Sequence, residues 1–163
     1  MLAQTARPYP GELATANDVR LLADHYRKAA HLLQQMGKPG DPLSRAPFRL
    51  AAIHAIELYL NALLLHRGID PRRIRAMQHD LAQRTQMAAS NGLHLRVRTA
   101  AHLWTVAEQR EYLATRYGPE LAGTASQVNR LAATLEEVGR KVTLLLQAPP
   151  SSHSTTGSIG GRE

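Results

Sequence analysis

From Leu50 to Leu65 the chain reads LAAIHAIELYLNALLL, apolar at every position except His54, Glu57 and Asn61. On a helical repeat these three fall within about 60° of one another, so the run predicts a helix buried almost all round with one narrow polar seam. Such a helix needs other helices on every side of it. The acid within it also needs a partner, because an isolated buried carboxylate is strongly destabilising. The seam of His54, Glu57 and Asn61 is therefore the first structural polar site to look for.

The remaining sequence supplies the surrounding helices. Thr15 or Asn17 caps a first helix that runs to Gly37, with Leu21, Leu22, Tyr26, Ala29, Leu32 and Leu33 as its apolar stripe. Asp41-Pro42 opens a second helix, which holds the apolar run and stops at Arg67-Gly68. A short turn or helix follows from Asp70-Pro71 to Met77, and His79-Asp80 opens a third helix reaching Ala89. A fourth is predicted from Leu95 to Tyr117, and a fifth from Thr124 or Ser126 to Ala148. There is no strand-like alternation and no internal repeat. The fold class is all-α, an antiparallel up-and-down bundle of four or five helices over residues 14–148. Residues 1–13 read as an irregular arm and 149–163 as a flexible Pro/Ser/Gly-rich tail.

The absence of cysteine removes disulfides, thiolate nucleophiles and cysteine-ligated zinc together. No glycine-rich phosphate loop, HExxH helix, GxSxG elbow or Glu-x-x-His pair is present, so no metal and no cofactor is expected. The N-terminus lacks a signal pattern and no stretch is expected to approach the ~20 apolar residues of a membrane span, which points to a cytoplasmic protein with no membrane partner. The net charge of +7 is carried mainly by arginine. Arg67, Arg72, Arg73, Arg75, Arg84, Arg96 and Arg98 face only Asp70 and Asp80 in one segment, a balance that suits phosphate-bearing partners or, more simply, a solvated basic surface.

On a continuous fourth helix, Arg110 shares a face with Leu103, Val106, Ala107, Leu113, Ala114 and Tyr117. A guanidinium there needs a carboxylate, and Glu57 is the predicted partner in an internal ion pair. The alternative is a polar pocket in which Arg110, Arg116 and Tyr117 face a phosphate or a base. Trp104, Tyr112 and Tyr117 are expected in the core. His79 precedes the helix that Asp80 caps, and can serve as a helix-cap neighbour or as a nucleotide contact.

Three motifs, AIELYLNALLL, the HDL of His79-Asp80-Leu81 and the pair Arg116-Tyr117, are together similar to the small HEPN domains of prokaryotes. The likeness spans roughly Thr15 to Ala148. It implies a helical bundle that pairs as a homodimer and binds nucleotide or RNA, often beside a nucleotidyltransferase partner. It also implies two other outcomes: a metal-independent endoribonuclease of toxin–antitoxin type, or a structural dimerisation module of a regulatory complex. In the nucleases an arginine is followed four to six residues later by a histidine at the start of a late helix. Among the matching spacings here, only Arg96 and His102 stand at such a start, and they are the candidate catalytic pair, with Val97 where the family often has Asn or Asp. Asn61 stands where many relatives carry lysine, and Gly118 displaces the usual proline to Pro119. The binding candidates are His79, Arg110, Arg116 and Tyr117, in a module expected to bind without cutting.

Overall fold

The computed structural model describes residues 7–148, so the first six residues of the expected arm and the whole of the expected tail lie outside the described residues. Among the described residues every regular element is helical. Helix α1 (Ala16–Gln34) opens on a capping box: Thr15 Oγ1 accepts the Asp18 N–H at 3.1 Å, and Asp18 accepts the Thr15 N–H at 2.9 Å. Asp41 caps a 3₁₀ turn, Pro42–Arg45, which runs straight into α2 (Ala46–His66). Helix α3 (Pro71–Ala76) starts at Asp70 and α4 (Leu81–Ser90) at Asp80, each aspartate accepting a first-turn N–H. Helices α5 (Val97–Glu108) and α6 (Glu111–Tyr117), a 3₁₀ turn Pro119–Thr124, and α7 (Val128–Gln147) complete the chain.

Helix α2 is the hub, with α1 packed along it most extensively, then α7, and with α6, α4 and α3 closing the remaining sides. Its buried face includes Phe48, Ile53, Ile56, Tyr59, Leu60, Leu63 and Leu64, which form the core with Leu81, Leu103, Leu131, Leu135 and Val138. Burial of these side chains, each worth about 1.5–3 kcal/mol when fully removed from water, is what assembles the bundle. Tyr59 ties three helices. Its hydroxyl donates to Asp24 of α1, and its ring lies so close to Gly139 of α7 that a Cβ there would meet ring carbons at 3.0 and 3.1 Å.

Several expectations are corrected. Together the 3₁₀ turn and α2 make a run of 25 residues, Pro42–His66, long and apolar enough to cross a membrane by length and composition. Of the apolar window in that run, 72% is buried inside the fold, as for a core helix. The stripe assigned to α1 is only partly buried: Leu21, Leu22, Tyr26 and Leu32 are exposed, Ala29 and Leu33 are half-buried with Leu33 packed on the core, and Ala23 and Ala30 are completely buried. Small alanines let α1 approach α2 closely, so they take the centre of the contact face, with Leu33 beside them. The predicted fourth helix is broken. Arg110 adopts a left-handed conformation (φ 50°, ψ 41°), which separates α5 from α6 and turns its side chain out of the stripe it would share on a continuous helix. Trp104 and Tyr117 are exposed at 58% and 76%, not in the core, and Tyr112 is half-buried. The last helix begins at Val128, later than Thr124 or Ser126, because Pro119–Thr124 forms its own turn.

Candidate functional site

The seam of α2 is completed by α4. Glu57 Oε1 lies 3.6 Å from Arg84 Nη2, and Glu57 Oε2 lies 3.1 Å from His79 Nδ1. A carboxylate only accepts, so His79 carries its proton on Nδ1 in this contact. The expected Glu57–Arg110 pair does not form; Arg110 is exposed and Arg84 holds the place. Arg84 is 2% exposed and uses nearly all its donors: Nε to Asn61 Oδ1 at 2.8 Å, Nη1 to the Met77 and Asp80 carbonyls, Nη2 to the Ile74 carbonyl. It thereby joins α2 to the end of α3 and the start of α4. The signal for it was in the sequence. Leu81, Arg84 and Ala88 share one face of α4, and all three are buried, so the rule applied to Arg110 selects Arg84 as well.

Over this seam lie three adjoining clefts. One, of about 840 Å³, exposes His54, Glu57 and Asn61 beneath Tyr9, Arg75 and His79. Arg75 stacks on the Tyr9 ring at 4.3 Å. A second, of about 390 Å³, shares His79 and adds Trp104, Arg110 and Tyr112. The third, of about 620 Å³, shares His54 and adds Tyr26, Arg116 and Tyr117. His79 is the wall between two clefts, held by Glu57 on one side and by the Tyr112 ring at 4.7 Å on the other. His54 meets Tyr26 edge to face at 4.5 Å, and burial pushes its imidazole below the ordinary value, which favours the neutral form. Thus the seam residues and His79, Arg110, Arg116 and Tyr117 gather along one furrow. Among the described residues, the two non-glycine residues with left-handed backbone, Gln78 (φ 48°) and Arg110, both border its Trp104 cleft.

Arg96 and His102 lie elsewhere and share no hydrogen bond or ion pair. Arg96 is the exposed N-cap of α5, and its N–H donates to Glu137 of α7 at 2.7 Å. His102 is buried, with Nδ1 2.8 Å from Thr134 Oγ1. Burial lowers its basicity; Glu111 opposes this, and Arg130 and Arg49 reinforce it. Glu137 also accepts from Thr99 Oγ1 at 2.5 Å and Lys141 Nζ at 2.7 Å. Burial raises the Glu137 carboxyl, but these three bonds together outweigh it and hold it down to about 2.

A second buried ion pair, Arg49–Glu111, was not anticipated from the sequence, which places Glu111 inside a continuous fourth helix. Its Nη1···Oε2 distance is 3.6 Å, and both side chains are almost wholly buried. Among the described residues no three His, Asp or Glu side chains gather as metal ligands. No family model, curated protein or solved structure matches the chain.

Proposed function

We propose that this chain is a HEPN-like antiparallel bundle that binds nucleotide or single-stranded RNA in the furrow over the α2 seam, as a non-catalytic module. The observation that carries this reading is the set of exposed aromatic side chains and arginines along the furrow: Tyr9, Arg75, Trp104 and Arg110 in the clefts that His79 divides, and Arg116 and Tyr117 in the cleft of His54. Aromatic rings stack on bases, and guanidiniums attract phosphates, in a way tolerant of sequence. Cutting RNA needs acid and base groups placed together, and the separation of exposed Arg96 from buried His102 favours binding alone. The exposed apolar side chains of α1 and the turn after it, with Leu32 and Met36 at 68% and 67%, favour a homodimer, and a nucleotidyltransferase-type partner fits the same reading.

Trp104 is the only tryptophan and lines the furrow, so its fluorescence reports binding directly. Adenosine monophosphate or a short single-stranded RNA should quench it saturably, with affinity falling as salt rises. The RNA should remain intact without added metal. A flat titration with both ligands would remove the binding reading, and cleavage lost in His102→Ala would replace it with the nuclease.

A further inference from the structure

Away from the furrow, the first turn of α2 meets the start of α7 around a cleft of about 250 Å³ that Lys38, Arg45, Arg49 and Ser126 line. Arg49 is 8% exposed at its side chain, and its Nε and Nη1 have no hydrogen-bond partner in the protein. Its nearest charge, Glu111 Oε2, is itself without a hydrogen bond at 3.6 Å, while Glu111 Oε1 accepts the Ser126 N–H at 2.7 Å. The Ser126 Oγ is buried and unpartnered too. A buried guanidinium normally spends its donors, as Arg84 does, because a desolvated donor left without an acceptor is destabilising.

The charge around the cleft is unbalanced. Lys38, Arg45 and Arg49 are opposed by Asp41 at the rim and Glu111 behind. Arg45 is near enough to Arg49 to disfavour its charge. The N-terminus of the 20-residue α7 opens here with no side-chain cap and no acid in its first turn. Converging cations, unspent buried donors and a helix N-terminus are the elements of an anion site, and the guanidinium fork matches a tetrahedral oxyanion better than a halide. We propose that this cleft binds a phosphate group, free or as a monoester, with Arg49 at its floor, Arg45 and Lys38 at its rim and Ser126 Oγ donating from the side. Gly37 positions Arg45: a Cβ at Gly37 would stand 2.8 Å from Arg45 Nη1 and displace it.

The test uses the whole chain and inorganic phosphate, followed by phosphorus NMR line broadening, with chloride at equal ionic strength as reference. Saturable binding is expected, weakened roughly tenfold in Arg45→Ala and weakened in the same direction in Gly37→Ala and Ser126→Ala. Arg49→Gln also breaks the buried pair with Glu111, so the rim variants carry the decision. His79→Ala should keep wild-type phosphate affinity, since His79 belongs to the furrow. Adenosine monophosphate that displaces phosphate without adenosine doing so would identify a monoester as the ligand; phosphate binding with no such displacement would identify the free ion. Absence of saturable binding, or binding that survives Arg45→Ala combined with Lys38→Ala, overturns the site. Loss of phosphate binding in His79→Ala overturns it as well, by placing the ion in the furrow.

Discussion

Glu57–Arg84 and Glu111–Arg49 are two buried ion pairs that join α2 to α4 and to α6. Both have a closest approach of 3.6 Å, and both arginines have their basicity lowered first by burial and supported next by the partner carboxylate. They differ in what the remaining donors do. Arg84 bonds to Asn61 and three backbone carbonyls, whereas Arg49 leaves Nε and Nη1 unspent. Charge proximity alone therefore does not distinguish a structural clamp from a site with binding capacity in reserve. The hydrogen-bond inventory does, because desolvated donors left unmade carry a cost that a ligand can relieve.

The largest expected effect is on the complete pair. Arg84→Leu should lower unfolding free energy by about 3–5 kcal/mol in urea denaturation, since it strands Glu57 and several carbonyls. Arg49→Leu should cost less, about 1–3 kcal/mol, because fewer hydrogen bonds disappear with it. Equal losses in the two variants would erase the contrast.

Next comes Glu137, a third buried carboxylate, which is fully bonded. Its folded carboxyl titrates at about 2 against an ordinary 4.5, so between those values the unfolded chain binds the proton more readily. The stability it contributes is present above the ordinary value and is lost as pH falls through the window toward 2. Glu137→Gln should cost about 2 kcal/mol at neutral pH and flatten the acid limb of the stability profile. An unchanged acid limb would mean that the bonds to Thr99, Lys141 and the Arg96 N–H contribute little. The smallest effect on stability belongs to His79→Ala, below about 1 kcal/mol, because its contact with Glu57 is 40% exposed on the histidine side. The same variant should nevertheless abolish most of the Trp104 response to nucleotide, which separates binding from folding.

Much of the furrow was legible before any coordinates. The seam of His54, Glu57 and Asn61 followed from helical period, and the rule that a buried acid needs a cation pointed to an arginine on a facing helix. A continuous helix from Leu95 to Tyr117 would turn Arg110 toward that acid, and the break at Arg110 leaves the place to Arg84. A left-handed residue at position 110 is not announced by arginine, which rarely adopts it. Glu111 was similarly hidden: only the break puts it at the start of a new helix, turned inward toward Arg49.

Sequence by itself determined the all-helical class, the caps at Asp41, Asp70 and Asp80, a first cap narrowed to Thr15 or Asn17, and the centrality of α2, because period, capping chemistry and hydrophobicity act over a few neighbouring residues. Only the tertiary structure decided which arginine meets which glutamate, which face of α1 packs, and which donors stay unspent. Those outcomes depend on how closely whole helices approach and where one of them breaks, and such distances are set by the packing of the entire chain, not by any local pattern.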